Sequence, residues 1–369
     1  MRRLGAAVVG LGVGRSHAEA YATLDESRLV AVCDVDPALR RTVAAQYEAK
    51  AYASLDEVLA DPEVEVVSIA TPHPSHAPLA IQSARAGRHV LVEKPMALNV
   101  AAVDAIIEAA NEHRVTLGGI FQRRFWPAAL RARQAIAEGK IGVPVLGQCN
   151  LSWWRLPAYY ERAPWRGRWD TEGGGVLTNQ AIHAIDMFQW FMGEAVEVFG
   201  RWANLTHPTI EVEDNAAATI RFRSGALGVL TATTSSRWSH TQITVHGSNG
   251  ASVGVIEEPE GAVGYNDVWT IPGETDVVAQ SLQEHVERGE YIYRIQTGGD
   301  SPPYWPTDYQ FQRPGVPSYH ARQIQDFLRA VQSGDEPMVN GEEARKAVEI
   351  LSAIYESART DQPIRLPLR

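Results

Sequence analysis

At 369 residues and 45% hydrophobic content, the chain is long enough to bury two sizeable cores. A formal net charge of −10 argues against wrapping a nucleic acid, and no run approaches the ~18 uninterrupted apolar residues of a membrane span. Two widely separated cysteines, Cys33 and Cys149, suggest neither a disulfide framework nor a metal site, so a cytoplasmic two-domain enzyme is the class composition favours.

The start, Arg2 and Arg3 before residues 4–14, has the outline of a short export signal, with Ala18, Glu19 and Ala20 as a cleavage-like site. Cleavage there would remove a strand and a glycine turn that the rest of the pattern needs, so the cytoplasm is the expected location. Residues 4–9 are an apolar run, Gly10, Gly12, Val13 and Gly14 form the turn, and Ser16 starts a helical pattern. A second apolar run, 29–33, stops at Asp34. Glycines at such a turn let the backbone approach a pyrophosphate, the following helix N-terminus meets its charge, and an acid about 20 residues on takes the ribose hydroxyls. The spacing departs from G-x-G-x-x-G, because Arg15 holds the third glycine's place. Val35 and Asp36 follow the acid with no immediate arginine for a 2′-phosphate, which favours NAD.

Ser54 and Glu57 make a capping box for a short helix ending near Asp61 and Pro62, and 64–70 has parallel-strand character. Thr71, Pro72, His73, Pro74, Ser75 and His76 break it. A helix over 77–86 stops at Gly87, and the strand 89–92 closes on Glu93, Lys94 and Pro95. Lys94 is one of only four lysines, and it sits where open parallel sheets hold their ligands. A partly desolvated ammonium there can have its pKa lowered enough to share a proton with a substrate oxygen, which an arginine cannot do. A periodic helix over 99–113 leads to a last run, 115–121, so strands alternating with helices predict a doubly wound sheet.

The pattern changes near Phe121, which divides the chain into 1–121 and 122–369. Residues 143–154, 196–205, 216–222, 226–233 and 242–246 read as strands, with hairpin turns at Ser224-Gly225 and Ser248-Asn249-Gly250, and predict an open, mostly antiparallel sheet in an α+β domain. Residues 298–317 read as a loop. Helices over 319–333 and 342–359 end the chain, with the option of packing back on the first domain. Between 153 and 169, four of the ten tryptophans and four arginines crowd around Tyr159 and Tyr160. Aromatic faces stack on sugar rings and arginine forks hold carboxylate, phosphate or sulfonate, although subunit interfaces favour the same residues. Trp153, Tyr159, Trp165 and Arg166 are therefore candidate substrate contacts, and Arg123 and Arg124 add charge. Asn179, His183 and Asp186 fall at i, i+4 and i+7 on one helical face, His183 and Asp186 within the apolar helix Ile182–Met192 that Gly193 stops. A histidine so placed is often a core residue or the partner of an aspartate three positions on.

Taken together these residues resemble the Gfo/Idh/MocA oxidoreductases. The glycine turn, Asp34, the TPxxxH segment at 71–76, Glu93-Lys94-Pro95, and the block running from Gly173-Gly174-Gly175 through Asn179 and His183 to Asp186 carry the resemblance over the whole chain. It implies an N-terminal Rossmann domain that binds NAD, with Thr71, Pro72, His76, Glu93, Lys94 and Arg166 along the cofactor. It also implies Lys94 and His183 as catalytic pair and a homodimer or homotetramer joined through open sheet faces. Asn179 stands where inositol dehydrogenase-like members carry an aspartate, so His183 is expected to be less easily protonated unless Asp186 or a substrate anion makes up the charge. Lys94, His183 and Asn179 are thus the catalytic candidates, with Asn179 and His183 also facing substrate. The expected activity is hydride transfer between NAD and a secondary hydroxyl of a sugar, sugar acid or cyclitol, a small-molecule carbohydrate with an anionic substituent. A glycoside hydrolase using NAD by transient oxidation, elimination, hydration and re-reduction is the alternative, left open by Asn179 and by Tyr159, Tyr160 and Tyr319. The joint presence of Lys94 and His183 disfavours a third reading, a non-catalytic dinucleotide sensor.

Overall fold

The computed structural model describes residues 2–257, 266–274 and 318–368. The N-terminal lobe runs β1 Leu4–Val9, α1 Gly14–Thr23, β2 Ser27–Cys33, α2 Pro37–Tyr47, β3 Lys50–Tyr52, α3 Leu55–Ala60, β4 Val66–Ile69, α4 His76–Arg85, β5 His89–Val92, α5 Val100–Glu112 and β6 Leu117–Gly119. Its six strands are parallel, in the order β3-β2-β1-β4-β5-β6. β1 and β4 are buried along their whole length, as strands covered by helices on both faces must be. Polar side chains set the helix starts. Asp36 accepts from the N–H groups of Ala38 and Leu39, Ser54 from Glu57, and Asn99 from Ala102. β3 escapes the sequence pattern because it is an edge strand, with Lys50 and Ala51 exposed and Tyr52 half-buried.

The second lobe contains α6 Pro127–Ala137, β7 Pro144–Trp154, α7 Pro157–Glu161, α8 Ile182–Met192, β8 Ala195–Ala203, β9 Asn215–Phe222, β10 Leu227–Thr233, β11 Ser235–Gly247, β12 Ser252–Glu257, β13 Asn266–Trp269, α9 Tyr319–Ser333, α10 Gly341–Thr360 and β14 Ile364–Arg365. Its eight strands are ordered β13-β12-β11-β7-β10-β9-β8-β14; β7 and β10 run parallel and the other neighbours antiparallel. The expected open sheet is therefore present and is three strands wider, by β12, β13 and β14. Alternation in β9 buries Ala216, Ala218, Ile220 and Phe222 and exposes the residues between. The buried face carries α8 and α10. The expected loop at 298–317 lies outside the described residues.

The C-terminal helices return to the first lobe. On α9, Ala321, Ile324, Phe327 and Leu328 share one apolar cluster with Leu4, Ala6 and Val8 of β1 and Ala18 and Tyr21 of α1. Gln323 fastens this helix to the end of the parallel sheet, donating to Gly119 O (2.7 Å) and accepting from Phe121 N (3.0 Å). α10 packs against β8, α8 and α5, so it touches both lobes. Among the described residues no helix is long and apolar enough to cross a membrane.

Candidate active site

The strand order reverses between β1 and β4, and at the carboxyl ends of these strands a cavity of about 840 Å3 opens. Gly10 ends β1 at φ +89°, and a Cβ there would stand 2.6 Å from Ala70 O, so only glycine makes this turn. At Gly12 nothing lies within 4 Å of a Cβ position, which leaves its backbone open to the cavity, with Val13 beside it. Gly14 does a different job from the one its place in the turn suggested. It starts α1, and a Cβ would press on Val8 Cγ1 (2.9 Å) and Ala70 Cβ (3.1 Å), so it lets the helix settle on the sheet. That is the task of the third glycine in the usual spacing, which explains why Arg15 is tolerated one position later. Asp34 accepts from Leu11 N (2.7 Å) through Oδ2 and from Asp36 N (2.9 Å) through Oδ1, which locks the acid to the glycine turn and leaves a lone pair on each oxygen. Thr71 and Pro72 line the same cavity, and the ring nitrogens of His76 lie 2.7 Å from Pro95 O and 2.7 Å from Thr71 O, bracing the two strand-end loops together. An open glycine backbone at a helix start, with an acid at the end of the next strand, fits a dinucleotide.

Lys94 and Asn179 line this cavity as well. The Lys94 amine donates to Asn179 O (3.1 Å) and Asn179 Oδ1 (3.3 Å), which joins the end of β5 to the second lobe. Burial lowers its pKa to about 8, with Glu93 opposing and Arg166 and Arg123 adding to the fall. Glu93 is buried; although burial works against its charge, hydrogen bonds from His17 and His320 hold its carboxyl well below the usual range. It also accepts from Lys94 N (3.0 Å) and so fixes the backbone beneath the amine. Asn179 belongs to a π-helical turn, Val176–Ala181, that leads into α8, where His183 is buried. Burial holds the imidazole well below its usual pKa, Arg123 and Lys94 reinforce this, and Nδ1 has no hydrogen-bond partner among the described residues. The ring stands edge-on to Phe121, centroids 5.8 Å apart.

Three sequence expectations are corrected here. Asp186 does not partner His183, because both its oxygens are taken by Arg124, through Nε (2.8 Å) and Nη2 (2.6 Å). The wider π turn removes the single α-helical face that the i, i+4, i+7 spacing assumed. Arg124 is not a substrate contact: its side chain is 0% exposed, bound to Asp186 and Glu343 (2.8 Å), with its guanidinium over Trp190. Trp153 is likewise a core residue, donating to Thr241 Oγ1 (3.1 Å) beneath Arg123 and Arg155. From the same aromatic segment, Trp165 and Arg166 do line the cavity. The Arg166 guanidinium lies over Tyr159 and Trp165, at 4.3 and 4.5 Å from the ring centroids, and donates to the Tyr159 hydroxyl. That hydroxyl also accepts from Asn179 Nδ2 (3.1 Å) and Gln180 Nε2 (3.0 Å).

Sequence reasoning missed two buried glutamates. Glu213 accepts from Gly175 N (2.8 Å), Leu177 N (2.9 Å) and the Tyr355 hydroxyl (2.9 Å), and burial pushes its carboxyl up to about 7. A Cβ on Gly175 would stand 1.9 Å from Glu213 O, so glycine is needed for this turn to form. Glu172, immediately before the three glycines, accepts from Asn179 Nδ2 (2.5 Å) and Gly167 N (2.5 Å). Glu172 carries no sequence signal beyond its place before the glycines, and Glu213 carries none, because its partners at Gly175 and Leu177 lie 38 and 36 positions away. His73 was passed over as well: it lines the cavity, its Nδ1 meets Glu172 O (2.9 Å), and burial followed by Lys94 lowers its pKa to about 3.

A doubly wound domain with a dinucleotide cradle, and a lysine at its rim facing a second lobe, define a nucleotide-dependent oxidoreductase. Residues 4–121 match the oxidoreductase family model with an NAD-binding Rossmann fold, and 129–253 match the GFO/IDH/MocA C-terminal domain. The chain belongs to the Gfo/Idh/MocA family and is an NAD-binding member of it. It is 30% identical over 369 residues to myo-inositol 2-dehydrogenase of Thermotoga maritima, covering 97% of both chains. It is 27% identical over 289 residues to levoglucosan dehydrogenase of Pseudarthrobacter phenanthrenivorans, covering 69% of this chain and 74% of the relative. Among solved structures, the WlbA dehydrogenase of Bordetella pertussis in complex with NADH and UDP-GlcNAcA matches with a TM-score of 0.81 and 27% identity, over 100% of both chains.

Proposed function

We propose that this chain is an NAD-dependent dehydrogenase acting on a secondary hydroxyl of a sugar, sugar acid or cyclitol that carries an anionic substituent. The observation that carries this reading is the Lys94 amine, with its pKa lowered to about 8, in the same cavity as the glycine turn and Asp34. Gly10, Gly12, Val13, Asp34, Thr71 and Pro72 would hold the cofactor, which supplies hydride acceptance when bound. Lys94 takes the hydroxyl proton; near pH 7 roughly a tenth of such an amine is neutral and ready to do so. The ammonium that results is received by Asn179 O and Oδ1. His183, kept neutral, is buried and does not line this cavity, so its proposed part is that of a second polar group behind the lining, reached by the substrate from the other lobe. Trp165 and Arg166 supply a ring face and a cation at the cavity wall, and relatives named for inositol and levoglucosan support the carbohydrate class. The cytoplasm is the proposed location, in keeping with Cys33 and Cys149, both free and buried.

A panel of uronates, inositols, phosphorylated or sulfonated hexoses and their glycosides, scored by absorbance of NADH, tests the reading. Stoichiometric NADH is expected, at a rate that rises as pH climbs through about 8 and the amine loses its proton. Release of an aglycone without NADH would replace oxidation by hydrolysis. A homodimer or homotetramer is proposed through the sheet face opposite α8 and α10, where Phe199, Leu227 and Val229 are exposed. A solution mass equal to one chain would remove that assembly.

A further inference from the structure

Asn179 brings an amide to the one place where a carboxylate would steady the Lys94 amine, and the surrounding hydrogen bonds show what takes over. An amide's oxygen and nitrogen are nearly the same size, so its orientation is decided by its partners. An ionised carboxylate only accepts. Glu172 Oε1 lies 2.5 Å from Asn179 Nδ2, so the NH2 must face the acid and Oδ1 must face Lys94 Nζ at 3.3 Å. Turned the other way, the amide would aim two donors at an ammonium. Glu172 is itself rigidly placed. Its side chain is 1% exposed, Oε2 accepts from Gly167 N, its backbone oxygen meets His73 Nδ1, and its N–H donates to Arg168 O (2.9 Å). Arg166 Nη1, 3.7 Å from Oε1, pairs the buried charge.

We propose that Glu172 is a positioning residue: through the Asn179 amide it fixes the acceptor that faces Lys94 and supplies the negative charge that residue 179 lacks. The role rests on the dehydrogenase reading, since it matters only if Lys94 transfers a proton. Glu172 does not line the cavity, so it acts through Asn179 rather than on a substrate. The charged and titratable groups around the Lys94 amine are Glu93 at the end of β5, Arg123 after β6, His73 from the loop after β4, His76 at the start of α4, Arg166 and Glu172 after α7, and His183 on α8. Glu93 and Glu172 raise the amine's pKa, and the two arginines lower it. Burial raises the Glu172 pKa above the usual carboxylate value, and Gly167 N, Asn179, Arg166 and Lys94, which favour the charged form, offset only part of that rise. Tyr159, Tyr160 and Tyr355 also face it.

The four lysines make the test direct. With 13C-labelled lysine, the Lys94 side-chain resonance, assigned through Lys94→Arg, reports its own titration without any turnover. In Glu172→Gln the Lys94 midpoint is expected to fall by roughly one pH unit, as loss of one neighbouring charge at moderate effective dielectric implies. On the high-pH plateau, where the amine is neutral in both proteins, turnover should drop about tenfold at unchanged KM for NAD, and the rise of rate with pH should start about one unit lower than in the parent. Glu172→Gln with Asn179→Asp moves the charge one residue closer to the amine, and its Lys94 midpoint should return to the parent value or above. Equal midpoints in parent and Glu172→Gln would overturn the proposal. If Glu172→Gln does not fold, a double variant whose midpoint lies below the parent would do so. A parent protein that oxidises nothing in the carbohydrate panel would refute the dehydrogenase reading alone, because the lysine titration is read without turnover.

Discussion

Lys94→Ala is expected to lower turnover by about 10² to 10⁴ fold, the range that a positioned general acid or base contributes, while NADH still binds. The cofactor contacts proposed at Gly10, Gly12, Asp34, Thr71 and Pro72 belong to other loops, and Glu93 would keep its bonds to His17 and to the backbone at 94, so the cradle survives truncation. Lys94→Arg separates proton transfer from charge. A guanidinium restores a cation beside Asn179 but does not release its proton in a protein, so this variant should be as inactive as the alanine. Stopped-flow turnover together with NADH fluorescence titration checks both halves. Turnover within threefold of the parent in either variant would take the proton from Lys94 and leave the base to be found elsewhere. An arginine variant much more active than the alanine would show that Lys94 acts by electrostatics alone.

The parts of this site that were legible in the sequence are those decided by short-range chemistry. A strand, a glycine turn and a helix start occupy eleven consecutive residues from Leu4 to Gly14, and Gly10 and Asp34 declare their roles through backbone geometry and position at a strand end. Lys94 was legible for the same reason, since a strand end fixes where its side chain begins. The rest depends on which distant group a side chain meets. Arg123 and Arg124 are neighbours of one chemical type, yet one pairs with Glu257 beside Trp126 and Trp153 while the other is sealed against Asp186, and nothing within ten residues distinguishes them. The segment from 153 to 169 shows the same limit. Trp165 turns to the cavity, Trp153 to the core, and Trp169 to Trp202 and Tyr355, so one cluster in sequence serves three places in space. The π turn, whose wider spacing breaks the helical pattern, is held by Glu213, 36 positions away from Leu177.

Arg124 carries the second large effect, on stability rather than on chemistry. Arg124→Met leaves the Asp186 carboxylate in the interior without its bidentate partner, and removing one member of a buried pair costs about 3–5 kcal/mol. Burial already pushes the Asp186 carboxyl up, with Arg124 as the main force holding it down. Without the guanidinium that carboxyl takes up a proton more readily, which limits the penalty but does not replace three hydrogen bonds, two to Asp186 and one to Glu343. Glu343 is the lesser loss, because it is a quarter exposed and keeps Lys346 as a partner. Arg124→Met with Asp186→Leu removes both buried charges and should recover most of the stability, since apolar side chains of similar volume replace buried ion pairs at little or no cost. Denaturant midpoints of the parent, the single and the double variant read this out, and KM for substrate should be unchanged in whichever variants fold. A substrate-binding arginine predicts the reverse pattern. A single variant as stable as the parent but with a tenfold higher KM would return Arg124 to the cleft and contradict the burial that places it against Asp186.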